Sequence, residues 1–167
     1  MREEELRRYF VGEASVSQLA KDLNGSVVKI DDLQSEIWIA GMRGSFTLQR
    51  DHVIKLCEAF LDRALTPEAL TIIGFALQAS DAFDWEDDVI SEVLSDWSAP
   101  EVNFELNAET LNMHRDWLLG FGEPPVRNSV DPLNRIHGRL ISVRIKRPID
   151  CALRRREFNG EVRRFYR

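Results

Sequence analysis

Cysteine is nearly absent from this chain: Cys57 and Cys151 are the two present, with no Cys-x-x-Cys spacing and no clustered histidines. That pattern excludes a disulfide framework and a thiolate-rich structural zinc site, and both residues read as free thiols. Long apolar runs are missing as well. The longest mixed segment, 69–79, is far short of the ~20 residues that cross a bilayer, and the opening Met-Arg-Glu-Glu-Glu lacks the apolar stretch of a signal peptide. A cytoplasmic protein without a membrane partner is therefore expected.

The usual catalytic signatures are also lacking. There is no G-x-S-x-G elbow, no phosphate loop of the GxxxxGK[ST] type, no GxGxxG and no HExxH. The calcium-loop pattern fails too, since Asp81-Ala-Phe-Asp84 has neither the glycine nor the terminal glutamate that such a loop needs. His52, His114 and His137 are scattered and read as surface or boundary residues. A non-enzymatic protein with no catalytic residue, no cofactor and no metal is the expectation.

What the chain does have is ordinary globular composition, 44% hydrophobic and 30% charged over 167 residues, with an unusual distribution of charge. Residues 1–119 carry 10 Lys/Arg against 23 Asp/Glu, a net of -13, whereas 120–167 carry 12 against 5, a net of +7. Between Ala64 and His114 there are eleven carboxylates and not one lysine or arginine. A helical surface usually mixes signs, because opposite charges four residues apart stabilise a helix by about 0.2–0.5 kcal/mol and like charges cost as much. Two regions follow: an acidic helical domain over 1–119 and a basic C-terminal extension over 120–167.

The apolar spacing predicts an α+β fold, mainly α, with a bundle of five or six helices and a small antiparallel β-meander around 26–48. Leu6, Tyr9 and Phe10 stand at helical spacing before Gly12; Val16, Leu19, Ala20 and Leu23 form a second stripe that ends at Asn24-Gly25. Alternation in 26–30 and 36–40, and a Gly41 to Gly44 turn before Ser45–Leu48, predict the meander. Asp51 is a candidate cap for a helix that buries Val53, Ile54, Leu56 and Cys57 and ends near Ala64; an inert thiol follows for Cys57. Thr66-Pro67-Glu68 starts another helix that is apolar almost all round, and Asn107 caps a last one through Leu118. Prolines and glycines keep 120–138 irregular, and Arg139–Lys146 alternates like a strand able to join the meander at its edge. The Arg-rich end reads as a frayed helix or tail.

A helix over Asp84–Trp97 would align Asp84, Asp88, Glu92 and Asp96 on one ridge, with Asp87 at its start. Trp85 and Trp97 flank it, as core residues or as anchors for a partner. Such a ridge is either a solvated face or a docking surface for a basic protein. Arg154, Arg155, Arg156, Arg163 and Arg164 carry the competing reading, a nucleic-acid-associated regulator, with Phe165 and Tyr166 able to stack on bases. The same tail could instead fold back on the acidic ridge.

The runs Leu70-Thr-Ile-Ile-Gly-Phe-Ala-Leu-Gln-Ala-Ser-Asp-Ala-Phe-Asp-Trp85 and Leu94-Ser-Asp-Trp-Ser-Ala-Pro-Glu-Val-Asn103 resemble a group of small bacterial proteins of uncharacterised function. Tyr9-Phe-Val-Gly-Glu-Ala-Ser-Val-Ser-Gln-Leu19 resembles the opening of colicin-like immunity proteins. That resemblance implies a compact, helical, acidic protein that neutralises a nuclease toxin, and it transfers no particular binding residue. Carboxylates offered to the lysines and arginines of a phosphate-binding site would mimic nucleic acid, so an immunity or antitoxin role is the concrete form of the interaction reading.

Overall fold

The computed structural model describes residues 1–29, 34–100 and 104–124, together with the backbone of two further strands, 140–146 and 163–164. Six helices dominate: α1 (Glu3–Phe10), α2 (Val16–Leu23), α3 (Arg50–Leu61), α4 (Pro67–Ala79), α5 (Asp88–Ser98) and α6 (Ala108–Leu118). The strands are β1 (Val27–Lys29), β2 (Gln34–Ala40), β3 (Phe46–Thr47), β4 (Phe83–Asp84), β5 (Leu140–Lys146) and β6 (Arg163–Arg164).

Local chemistry sets most of the helix boundaries. Ser15 and Gln18 form a reciprocal capping box, with Ser15 N–H donating to Gln18 Oε1 at 2.7 Å and Gln18 N–H to Ser15 Oγ at 3.3 Å. Thr66 caps α4, with Pro67 in the first turn where its missing N–H costs nothing. Asn107 accepts from Thr110 N–H at 3.0 Å to start α6. The chain turns after α1 and α2 at Gly12 and Gly25, whose φ of 81° and 80° suit a residue without Cβ. The cap of α3 is Gln49 rather than Asp51, and its N–H donates to His52 Nδ1 at 3.0 Å.

Two parallel pairings replace the expected antiparallel meander. β1 and β2 pair antiparallel, but the next neighbour of β2 is β5, parallel to it along seven register positions from Gln34↔Leu140 to Ala40↔Lys146. β6 pairs antiparallel outside β5, so β5 is an inner strand and the order is β1-β2-β5-β6. Arg163 and Arg164 are thus strand residues, not part of a frayed helix. β3 leaves this sheet and pairs parallel with β4 through Phe46↔Phe83 and Thr47↔Asp84. The reason is aromatic: Phe46 stacks on Phe10 at 5.9 Å between centroids and meets Phe83 edge-on at 5.9 Å, a cluster unavailable beside β2. At β5 the alternation Ile141, Val143, Ile145 falls in register with Ser35, Ile37 and Ile39, and Ile37 and Ile39 are 2% and 1% exposed. A segment read as an edge therefore fills the position beside the buried stripe of β2.

The core runs between the sheet and the helices, with Leu6, Leu19, Leu56, Leu70, Ile73, Leu77, Ile90, Leu94, Trp97 and Leu111 all fully buried. Each such side chain contributes about 1.5–3 kcal/mol relative to exposure. α4 packs on α5 and α3 on α6. Gly74 permits the first of these contacts, because a Cβ there would stand 3.0 Å from Ser98 N, 3.1 Å from Trp97 Cβ and 3.2 Å from Leu94 O. Among the described residues no helix is long and apolar enough to cross a membrane. Replacing Gly74 by Val is expected to lower the unfolding free energy by about 2–3 kcal/mol through overpacking against backbone atoms, measured by urea denaturation; a change below about 0.5 kcal/mol would contradict the close contact.

Candidate functional site

The expected acid ridge does not exist as one surface. Asp84 belongs to β4, and α5 starts only at Asp88 because the Asp87 carboxylate accepts from Val89 N–H at 2.9 Å and caps it. Asp88 and Glu92 are exposed. Asp96 is 1% exposed: at ~100° per residue, positions eight apart on a helix differ by ~80°, which turns Asp96 from the solvent side toward α6. Trp97 is fully buried beside it, so it is a core residue and no partner anchor, while Trp85 is partly buried against the core.

Asp96, Trp97 and His114 make a buried polar strut between α5 and α6. Trp97 Nε1–H donates to His114 Nδ1 at 3.2 Å, which leaves the imidazole proton on Nε2, facing Asp96 Oδ2 at 3.3 Å. His114 has zero exposure, contrary to its reading as a surface or boundary residue. The strut satisfies polar groups inside the core. Cys57, fully buried, is held inert by a thiol pKa pushed up to about 12 by burial.

Exposed acid concentrates instead where the N-termini of α3 and α5 converge. A cleft of about 780 Å³ opens there, lined by Thr47, Gln49, Arg50, Asp51, Glu86, Asp87 and Asp88 among others. Among the described residues Arg50 is the single cation in its wall. Its guanidinium grips both oxygens of Asp87, Nη2 at 3.2 Å from Oδ1, and its Nη1 donates to the Leu118 carbonyl at 3.1 Å. The bond from Arg50 holds the Asp87 carboxyl below its usual range and raises the guanidinium in turn. Asp87 is therefore neutralised within the chain and leaves the docking set. Asp51, Glu86 and Asp88 are exposed, with no ion pair described for them. Asp51 and Asp88 sit in first helical turns, where the positive end of the dipole tolerates them without consuming their hydrogen-bonding capacity.

Arg50 and Asp51 in this cleft were missed by spacing arguments, since they reach it from a helix 37 residues away from Asp87. The signal was weak but present: an Arg-Asp pair at a helix start. Among the described residues no group of three or more His, Cys, Asp or Glu has the geometry to hold a metal ion. His137, Arg154, Arg155 and Arg156 lie outside the described residues. Comparison with protein-family models, with curated proteins and with solved structures returns no match.

Three outcomes test this geometry. Arg50→Ala and Asp87→Ala should each cost about 1 kcal/mol, with the double variant costing less than their sum, because the partly exposed pair and the cap share one carboxylate; additive losses in urea melts would refute the clamp. Since the folded carboxyl of Asp87 titrates below its ordinary value of 3.8, its contribution is complete above that pH and is lost as pH falls through the lowered folded value, so Asp87→Asn should flatten the stability curve below about pH 4. His114→Leu should cost about 3 kcal/mol by leaving the buried Trp97 N–H without its acceptor and removing the contact from His114 to the Asp96 carboxylate; a loss under 1 kcal/mol by calorimetry would show the strut to be dispensable.

Proposed function

We propose that this chain is a non-enzymatic interaction protein that receives a basic partner on its acidic surface, with inhibition of a nuclease toxin as the concrete form. One observation carries the reading: a concave cleft whose wall, among the described residues, holds four carboxylates and one arginine, three of those carboxylates exposed and without a described ion pair. Charges of one sign lining a concavity focus the field, speed encounter with an oppositely charged protein and disfavour wrong partners. Asp84 adds to this field from the strand paired with Thr47, a cleft residue. The docking set is accordingly Asp51, Glu86 and Asp88 with Asp84 beside them, and neither Asp96 nor Trp97 belongs to it. Carboxylates arranged this way would occupy arginines and lysines that a nuclease uses for phosphates. The resemblance of residues 9–19 to immunity proteins agrees with this.

The test is co-expression with the nuclease-domain proteins encoded beside the gene, followed by association kinetics on any that is inhibited. One of them should be inactivated, the association rate should fall steeply with salt, and Glu86→Lys with Asp88→Lys should slow association at least tenfold at unchanged melting temperature. Inhibition of none removes the immunity reading; a complex indifferent to those two reversals means the cleft is the wrong surface.

A further inference from the structure

The start of α3 supplies three residues of the cleft wall, Gln49, Arg50 and Asp51. The bond that closes this turn runs from Gln49 N–H to His52 Nδ1 at 3.0 Å. A capping box ordinarily places glutamate or glutamine at that third helical position, and both remain acceptors well below neutral pH. Here the acceptor is an imidazole nitrogen, which accepts only while it carries no proton. Protonation sets two donors against each other across the cap and puts a cation at the positive end of the helix dipole.

The surroundings of the ring also disfavour its charged form. His52 is half-buried, with the Phe10 ring of α1 centred 5.3 Å away and the Phe46 ring of β3 5.1 Å away, and Phe83 of β4 packs edge-on against both phenylalanines. Elements α1, β3 and β4 therefore meet it through an aromatic cluster. The charged groups acting on it lie on α3: Asp51 favours the imidazolium and Lys55 opposes it. Burial outweighs both and lowers the ring's pKa from its ordinary 6.5. The stability that the neutral ring contributes is thus complete above 6.5 and is lost as pH falls from there through the lowered folded value. Asp87 protonates in a separate window, below its ordinary 3.8.

We propose that His52 is a pH-sensitive cap: the neutral ring fixes the start of α3, with Arg50 clamped on Asp87 and Asp51 set in the cleft wall, and the protonated ring releases that turn. The cleft then keeps its shape at neutral pH and loses it in mildly acidic solution. This inference concerns the free chain and holds whatever the cleft receives, so it does not rest on the immunity reading.

The test needs no partner. An NMR titration of the full chain follows the His52 ring, the Gln49 amide and the Arg50 Nε–H from about pH 7 to about pH 5. All three should move together, with a midpoint below 6.5. His52→Gln keeps an acceptor that does not titrate in this range, so its Gln49 and Arg50 signals should stay in place. Over the same interval the unaltered chain should lose about 2–4 °C more in melting temperature than this variant, the size of one lost helix cap. His114 and His137 are common to both chains and cancel in that comparison. His52→Ala should already melt about 2–4 °C below the unaltered chain at neutral pH and show no greater acid loss than His52→Gln. A ring midpoint at or above 6.5 overturns the proposal, as does an Arg50 Nε–H signal that stays fixed while the ring protonates, or an equal acid loss in His52→Gln. Should either variant fail to fold, the joint titration in the unaltered chain decides the matter.

Discussion

The clamp made by Arg50 is the interaction on which the arrangement of the acidic helices turns. One guanidinium joins the first residue of α3 to the cap of α5 and to the carbonyl of Leu118 at the end of α6. These three contacts satisfy two different kinds of helix end at once: the carboxylate answers unpaired N–H groups, and the arginine answers an unpaired carbonyl. A segment of fifty-one residues without lysine or arginine has few ways to bring its helices together, because each carboxylate adds repulsion. Supplying the missing cation from α3, outside that segment, is one solution. Burying Asp96 against a neutral imidazole is a second, and placing Asp51 and Asp88 in first turns is a third.

These solutions differ in what they leave to solvent. The strut consumes Asp96, and the clamp consumes Asp87. First-turn placement consumes nothing, since a dipole stabilises a carboxylate without occupying its lone pairs. Two of the carboxylates left exposed at the cleft, Asp51 and Asp88, are therefore ones whose local cost the helix ends already offset. Charge that is stable in the free protein and still open to a partner is what a docking surface requires, because a partner then need not displace an internal counter-ion.

Helix positions were legible from residues that act over three or four positions: Ser15 with Gln18, Thr66 with Pro67, Asn107 with Thr110. The same short range explains the failures. Helical spacing of Trp85, Val89 and Val93 extends the predicted helix back to Asp84, yet Phe83 is drawn into the aromatic cluster of Phe10 and Phe46, which lie far away in sequence. The cap at Asp87 follows from that displacement. Alternation in β5 was readable, but its parallel partner was not, since period-2 pattern fixes which face a strand buries and says nothing about its neighbour. Fourfold spacing likewise suggested one ridge where the 3.6-residue turn carries the fourth carboxylate into the core.

The pairing of β5 with β2 changes the meaning of the charge imbalance along the chain. Read linearly, an acidic part is followed by a basic one, and the basic part could be an appendage. With β5 as an inner strand, Arg144 and Lys146 are held in a register fixed by seven paired positions and by the Ile37 and Ile39 stripe on the other face. A one-residue slip of β5 would exchange the faces of its alternating residues, so the register that sets Ile141, Val143 and Ile145 beside Ser35, Ile37 and Ile39 also assigns Arg144 and Lys146 to the opposite face. The pairing thereby gives part of the basic segment a fixed register in the fold, as the convergence of two helix starts gives the carboxylates of the cleft a fixed place.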